Sequence, residues 1–349
     1  MRPYRPEELS TEWLQACLLM PPGTTLNSFR AEPFADGLGV FGRLVRLHLD
    51  WSGDDHSLPR TLVAKFPTES EGNLQLAVAM HFYRRECAFY RSAATDTPFR
   101  IPTILANESS DTHQFVLLME DLDVQMCDQV AGGTQPQLER IIPSLAQHHA
   151  AFWGRSMPWA VRFDDPTFAA IVEGAYNAAL PAALERFSAE FSSGMVATAR
   201  RLDRQIGAQW RALSESGSTL VHGDFRLDNI GFSGNRVVSF DWQISGINVG
   251  AYDLGFLISQ SVNPEVRREL DDTIVEAYHA ALCAGGVADY SLEQCRRDYL
   301  RAVLACLVYP VILCGMLEVG NERGRQYAVL SLRRALSAIE ELGADRYLL

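Results

Sequence analysis

The chain has 349 residues, 47% of them hydrophobic, and a formal charge of −12. This is apolar material for two or three domains, or for two lobes around one cleft, and the acid excess argues against a nucleic-acid binder, which wants a basic face. The seven scattered cysteines form no Cys-x-x-Cys pair, which indicates neither a disulfide framework nor a zinc site and points to a reducing, cytoplasmic setting.

Residues 1–20 read as an amphipathic helix with acids at its start, ended by Pro21, Pro22 and Gly23; no signal-peptide pattern is visible there. Gly37, Gly39 and Gly42 then spell Gly-x-Gly-x-x-Gly. The same letters open a dinucleotide-binding helix, but here Leu47, Leu49 and Trp51 alternate with Arg46, His48 and Asp50, a period of two and so a strand. A Rossmann fingerprint leads into a helix, so an oxidoreductase of that kind is disfavoured. The glycines join strand to strand, either as a flap over phosphates or as a plain glycine-rich hairpin.

Ser52–Asp55 reads as a turn and Arg60–Phe66 as the next strand. Lys65, near its end, is the single lysine among 31 basic residues. A lone lysine in a chain that otherwise uses arginine suggests a position needing a compact ammonium. Leu74–Ala93 reads as one helix, without Gly or Pro and with apolar residues at helical spacing. Glu86 within it is either an intrahelical partner of Arg84 and Arg85 or a partner for Lys65. Ile101–Leu105 and Gln114–Met119 read as strands, and Glu120–Asp123 as a connector. The lobe boundary is placed there: residues 1–118, a linker at 119–123, and 124–349.

Beyond the connector the chain is mostly helical. Gln137–Trp153 is one helix, and His148 and His149 on it are packing or hydrogen-bonding residues, since adjacent helical residues point apart. Residues 166–215 read as two or three helices with breaks near Pro181 and Gly194. Two short strands, Ser218–Val221 and Arg236–Phe240, flank the polar loop His222–Asn229, and the second ends on Asp241. Asp224, Asn229 and Asp241 thus stand at strand ends where their oxygens suit Mg²⁺. Asp253 either caps the helix that follows or ties the loop down. Ala302–Val319 is apolar, but Pro310 interrupts it and Glu318 ends it, so a buried helix is expected and not a membrane span.

Glycine loop, strand lysine, helix glutamate, connector, then Asp-x4-Asn and Asp are the parts that phosphoryl transfer needs, because that chemistry rests on positioning and neutralising charge. Asp224 accepts the proton of an attacking hydroxyl, Arg226 reaches the transferring phosphoryl group, and Asn229 and Asp241 hold the metal. His222 is assigned to holding the loop and Asp228 to solvent. The chain resembles the aminoglycoside phosphotransferase and choline kinase group of protein-kinase-like small-molecule kinases, and the ecdysteroid-kinase-like branch most closely. His222-Gly223-Asp224 with Asn229 matches the catalytic loop His-Gly-Asp-x4-Asn, and Phe240-Asp241-Trp242 stands at the metal-binding Asp. Lys65, Glu86, Met119–Leu122, His149–Trp153 and Tyr252–Leu254 also match family positions. The likeness runs from about residue 33 to residue 258.

The resemblance implies an α+β, bilobal protein-kinase-like fold, ATP and Mg²⁺ as cofactors, a small-molecule hydroxyl acceptor, and adenine bonded to the linker backbone near Glu120 and Leu122. Arg226 is a departure, since many aminoglycoside enzymes carry a second His there. So is bulky Phe41 in the flap. A nucleotide-binding pseudokinase is an alternative, disfavoured because every ionisable part is present. A protein kinase is disfavoured because no Ala-Pro-Glu segment or activation loop follows Asp241. The apolar later helices and Trp153, Trp210 and Trp242 suggest a neutral or partly apolar acceptor alcohol, steroid-, macrolide- or acyl-like.

Overall fold

A computed structural model describes residues 2–18, 20–34, 41–52, 58–110, 114–316 and 322–349, with backbone only at 271 and 272. The chain divides into two compact units, Met1–Ala94 with Ile101–Asp123, and Thr95–Arg100 with Val124–Leu349.

The first unit begins with a helix that is shorter than its sequence suggests. Pro3 and Pro6 lack backbone donors, and only a 3₁₀ turn, Pro6–Glu8, precedes α1 (Thr11–Cys17), whose start is set by the Ser10 side chain accepting from Trp13 N. Five antiparallel strands follow: β1 (Leu26–Phe34), β2 (Gly42–Trp51), β3 (Thr61–Pro67), then α2 (Glu71–Ala79), α3 (Phe82–Ser92), β4 (Ile104–Ser109) and β5 (Phe115–Glu120). The sheet order is β1-β2-β3-β5-β4. β4 begins three residues later than Ile101.

The period-two pattern sorts β3 into two faces. Leu62, Ala64 and Phe66 join Val45, Leu47, Leu49, Val116, Leu118 and Leu14 in one apolar cluster. Val63 and Lys65 therefore face the other side. The single helix expected over 74–93 is two. Met80 caps α2, and His81 adopts a left-handed conformation, φ 56°, before α3 begins. No Gly or Pro marks this break, so composition could not show it.

The second unit is mainly helical. It contains β6 (Gln125–Met126), α4 (Gln135–Phe152), β7 (Val161–Arg162), α5 (Pro166–Arg186), α6 (Ser193–Leu202) and α7 (Ile206–Ser214). Pro181 lies inside α5 and is no break, whereas the chain does turn near Gly194, at 187–192, just before α6. Next come β8 (Thr219–Val221), β9 (Ile230–Ser233), β10 (Arg236–Ser239) and β11 (Gly246–Asn248). The chain ends in α8 (Ala251–Ser261), α9 (Pro264–Ala284), α10 (Leu292–Ala305), α11 (Val308–Gly315) and α12 (Glu322–Leu342). Every residue of α8 is buried, and α10 and α12 pack on it. The apolar run Leu292–Gly315 is broken after Ala305, and 72% of its most apolar window is buried inside this unit. It is core.

Candidate active site

The loop between β8 and β9 is held by one buried carboxylate. Asp253, in the first turn of α8, accepts from His222 N at 2.6 Å and from Gly223 N at 2.9 Å. Of the two roles open to it, it ties the loop; the helix cap is Gly250. His149 Nε2 lies 3.2 Å from the same carboxylate, and its Nδ1 lies 2.7 Å from the Tyr278 hydroxyl. His148 reaches the Thr97 hydroxyl and the Leu220 carbonyl. Both histidines are thus absorbed by hydrogen bonds. Gly223 has φ 83°, and a Cβ there would stand 2.3 Å from the Ile244 carbonyl oxygen, so only glycine fits.

His222 accepts from Asp224 N through Nδ1 at 3.3 Å and donates through Nε2 to the Phe240 carbonyl at 2.8 Å. This fixes the loop against the segment after β10 that carries Asp241. The Phe240 N–H in turn donates to the Asn229 carbonyl. The structure therefore brings Asp224, Arg226, Asn229 and Asp241 together. Asn229 donates its amide to the Asp224 carbonyl at 2.9 Å and to its Oδ2 at 3.1 Å, which leaves the Asn229 amide oxygen as its metal-compatible atom. Arg226 Nε donates to the same Oδ2 at 3.2 Å. Among the described residues no hydrogen bond reaches Asp224 Oδ1. Burial pushes the Asp224 pKa up, Arg226 pulls it back, and Asp241 raises it further. A carboxylate so placed is a stronger base than a solvated one. Asp241 has φ 62°, left-handed for a residue with a side chain, and accepts from Gln243 Nε2 at 3.2 Å. Strain of this kind gathers at functional sites.

Asp228 corrects the sequence reading. It is no solvated residue, for its side chain is 3% exposed. Arg323 of α12 grips both its oxygens, at 2.7 and 2.9 Å. Gln129 N donates to it at 3.1 Å and Arg226 Nη1 at 3.3 Å. Burial opposes its charge, but Arg323 and Arg226 together hold its pKa below the ordinary value. Arg226 itself lies over the Tyr327 ring, 4.9 Å from its centroid. Arg323 and Tyr327 escaped sequence reasoning because nothing local links them to the loop.

In the first unit Lys65 Nζ donates to both oxygens of Glu86, at 2.9 and 2.8 Å, with side chains 7% and 1% exposed. A Cβ on Gly42 would stand 2.7 Å from Lys65 Cε. That glycine thus makes way for the lysine stem. Gly37, Gly39 and most of the Ser52–Asp55 turn lie outside the described residues. Phe41 is described, and its carbonyl accepts from the Tyr83 hydroxyl at 2.8 Å. Glu120, at the end of β5, uses its N–H on the Thr103 carbonyl and its carboxylate on the Thr103 hydroxyl. Among the described residues no hydrogen bond reaches the Leu122 backbone. Trp210 and Trp242 are fully buried core residues, and half-buried Trp153 packs on Tyr290. No group of three His, Cys, Asp or Glu side chains able to hold a metal is found among the described residues.

Solved structures that share this fold include the following three. Choline kinase from Cryptosporidium parvum is 12% identical, with a TM-score of 0.58, over 92% of this chain and 93% of that one. A choline/ethanolamine kinase family protein from Mesorhizobium loti is 16% identical, TM-score 0.52, over 96% and 97%. A putative aminoglycoside phosphotransferase from Ralstonia eutropha is 13% identical, TM-score 0.51, over 95% and 96%. At these identities the likeness concerns the fold, which is α+β and protein-kinase-like. No curated protein sequence matches. Residues 39–285, which carry Lys65, Glu86, Asp224, Asn229, Asp241 and Asp253, match the ecdysteroid kinase-like family. The chain belongs to the ecdysteroid kinase-like family and is a small-molecule kinase.

Proposed function

We propose that the protein transfers the γ-phosphoryl group of ATP, with Mg²⁺, to a hydroxyl of a small molecule. The observation that carries this is the bonding of Asp224, whose Oδ2 is taken by Arg226 and Asn229 while its Oδ1 meets no donor among the described residues. Asp224 takes the proton of the attacking hydroxyl at that oxygen. Arg226, beside it, steadies charge on the transferring group. Lys65, aimed by Glu86, bonds phosphate oxygens. Its buried pair is a poor stabiliser compared with apolar packing, and its presence is best accounted for by this task. Asn229 and Asp241 hold the metal. Their donor set, one amide oxygen and one carboxylate, is hard and leaves further positions to phosphates, as Mg²⁺ prefers. The metal, when bound, neutralises charge between the phosphates.

We assign residues 1–118 to nucleotide binding with Gly37, Gly39 and Gly42 in its flap, 119–123 to the linker, and 124–349 to catalysis and acceptor binding. Adenine bonds the linker backbone near Glu120 and Leu122, where among the described residues the Leu122 backbone meets no hydrogen-bond partner. The acceptor is a neutral alcohol and not a polycation. A polycation would call for unpaired carboxylates, and Asp228 is already neutralised by Arg323. The reaction is intracellular, in the cytoplasm, where ATP is held.

The test is a screen of hydroxylated metabolites and antibiotics by thermal shift and ATP consumption, each with and without Mg²⁺. Turnover of ATP that needs the metal and that one class of alcohol raises well above the slow rate with water as acceptor is the expected result. Nucleotide binding with no turnover against any alcohol would favour a catalytically inactive nucleotide-binding module, and no MgATP-dependent shift at all would end the kinase proposal.

A further inference from the structure

Arg226 faces two carboxylates. Its Nε is 3.2 Å from Asp224 and its Nη1 is 3.3 Å from Asp228, both long for charge-assisted bonds. Asp228, buried in the loop, needs a cation, because a desolvated carboxylate without one is costly. If Arg226 met that need fully, it would be turned away from Asp224. Arg323 meets it instead, through a bidentate pair at 2.7 and 2.9 Å, shorter than either bond of Arg226. One helical turn on, Tyr327 places its ring against the Arg226 guanidinium and limits its arc, as a cation over an aromatic face is held. Burial pushes the Tyr327 phenol up to about 12, so it stays neutral beside the cation. Arg323 and Tyr327 lie four residues apart on α12, on one helix face. They also lie outside the family-matched stretch, which ends at residue 285.

We infer that Arg323 and Tyr327 are positioning residues: Arg323 saturates Asp228 so that Arg226 stays with Asp224, and Tyr327 braces Arg226 from the side. This rests on the phosphotransfer role proposed for Asp224 and Arg226. In Arg323→Met, Asp228 recaptures Arg226. Phosphate release from MgATP alone, with water as acceptor, should fall in kcat by about ten- to a hundredfold, the scale of a misplaced catalytic group, with little change in KM. Adding Asp228→Asn removes the competing charge and should restore most of the rate. Tyr327→Leu should lower kcat, and Tyr327→Phe should keep it, because the ring acts and not the hydroxyl.

A purely structural role for Arg323 would leave the double variant no faster than Arg323→Met. That result, or an unchanged kcat in Arg323→Met, overturns the inference. Should Arg323→Met fail to fold, Arg323→Lys takes its place; it keeps the charge without the bidentate grip and should give a partial, Asp228→Asn-reversible loss. A second readout needs no turnover. The Nε–H NMR resonance of Arg226, assigned with Arg226→Lys, should move in Arg323→Met and return in the double variant; an unmoved resonance also overturns the inference. If the wild type releases no phosphate with water as acceptor, the alcohol screen still decides the phosphotransfer proposal, and the resonance alone decides the role of Arg323.

Discussion

Lys65 runs its side chain over Gly42, so closely that a methyl group on the glycine would meet Lys65 Cε at 2.7 Å. The two residues sit on neighbouring strands, where Leu44 pairs with Lys65 and Gly42 with Pro67. Glycine at 42 is thus demanded by the lysine beside it. Gly42→Ala should displace the flexible end of that side chain and weaken its pair with Glu86. Because the obstructing group can move, the cost in stability should be about 1–2 kcal/mol, typical of modest overpacking, while kcat/KM for MgATP falls more than the melting point indicates. Parallel steady-state kinetics and thermal melts of the variant check this.

Lys65→Arg keeps the charge but brings a planar, larger group into a site that is 7% exposed and fitted to one ammonium between two carboxylate oxygens. Turnover should fall by about 10²-fold or more, as for loss of one aligned donor to a developing charge. Initial-rate measurements decide it, and wild-type turnover in this variant would make the single lysine of the chain an accident of composition.

Asp224→Asn retains the shape of the side chain and its hydrogen bonds from Arg226 and Asn229. It removes the negative charge and with it the ability to take a proton. The expected loss in kcat is about 10²–10⁴-fold, the usual worth of a general base. MgATP affinity by calorimetry should stay within a few-fold of wild type. Equal loss of binding and turnover would mean that Asp224 is a metal ligand instead.

Asp253→Ala removes the acceptor of two buried N–H groups and the partner of His149. The penalty should be about 3–5 kcal/mol in urea unfolding, as when a buried network loses its charged member. Asp228→Asn, whose site keeps Arg323 and Gln129 as donors to its remaining oxygen, should cost less. The reverse order would show that the loop is anchored from α12 more than from α8.

Glu341, near the end of α12, binds Arg268 through two bonds and Arg267 through one. The Arg268 hydrogen bonds, with those from Ser337 and Arg267, depress its pKa from 4.5 to about 2 against the opposing effect of burial. A carboxylate lowered in the folded state stabilises it above the unfolded pKa and loses that contribution as pH falls through the folded one. Wild type and Glu341→Gln should therefore differ at pH 7 by about 1 kcal/mol, given that the side chain is 32% exposed and screened by solvent. The difference should close between pH 4.5 and 2. Denaturant titrations across that window test it; a gap that persists at pH 2 would assign the effect to packing.

The loop His222–Asn229 was legible from its letters, since an acid, an amide and a second acid at strand ends are a local pattern that carries its own chemistry. The two faces of β3 were legible too, because side-chain alternation is a property of consecutive residues. So was the apolar stretch of α10 and α11, which Pro310 marked as unlike a membrane span. Other features belonged to the tertiary structure. The left-handed His81 that splits α2 from α3 has no glycine to announce it. Trp210 and Trp242 carry the same letters whether they line a pocket or fill a core, and packing put them in the core. Asp228 read as a loop acid for solvent until α12 brought Arg323 to it across 95 residues of chain. Periodicity and motif chemistry are encoded within a few neighbouring residues. Which charge neutralises which depends on how distant helices pack, and that choice decides whether Arg226 stays beside Asp224.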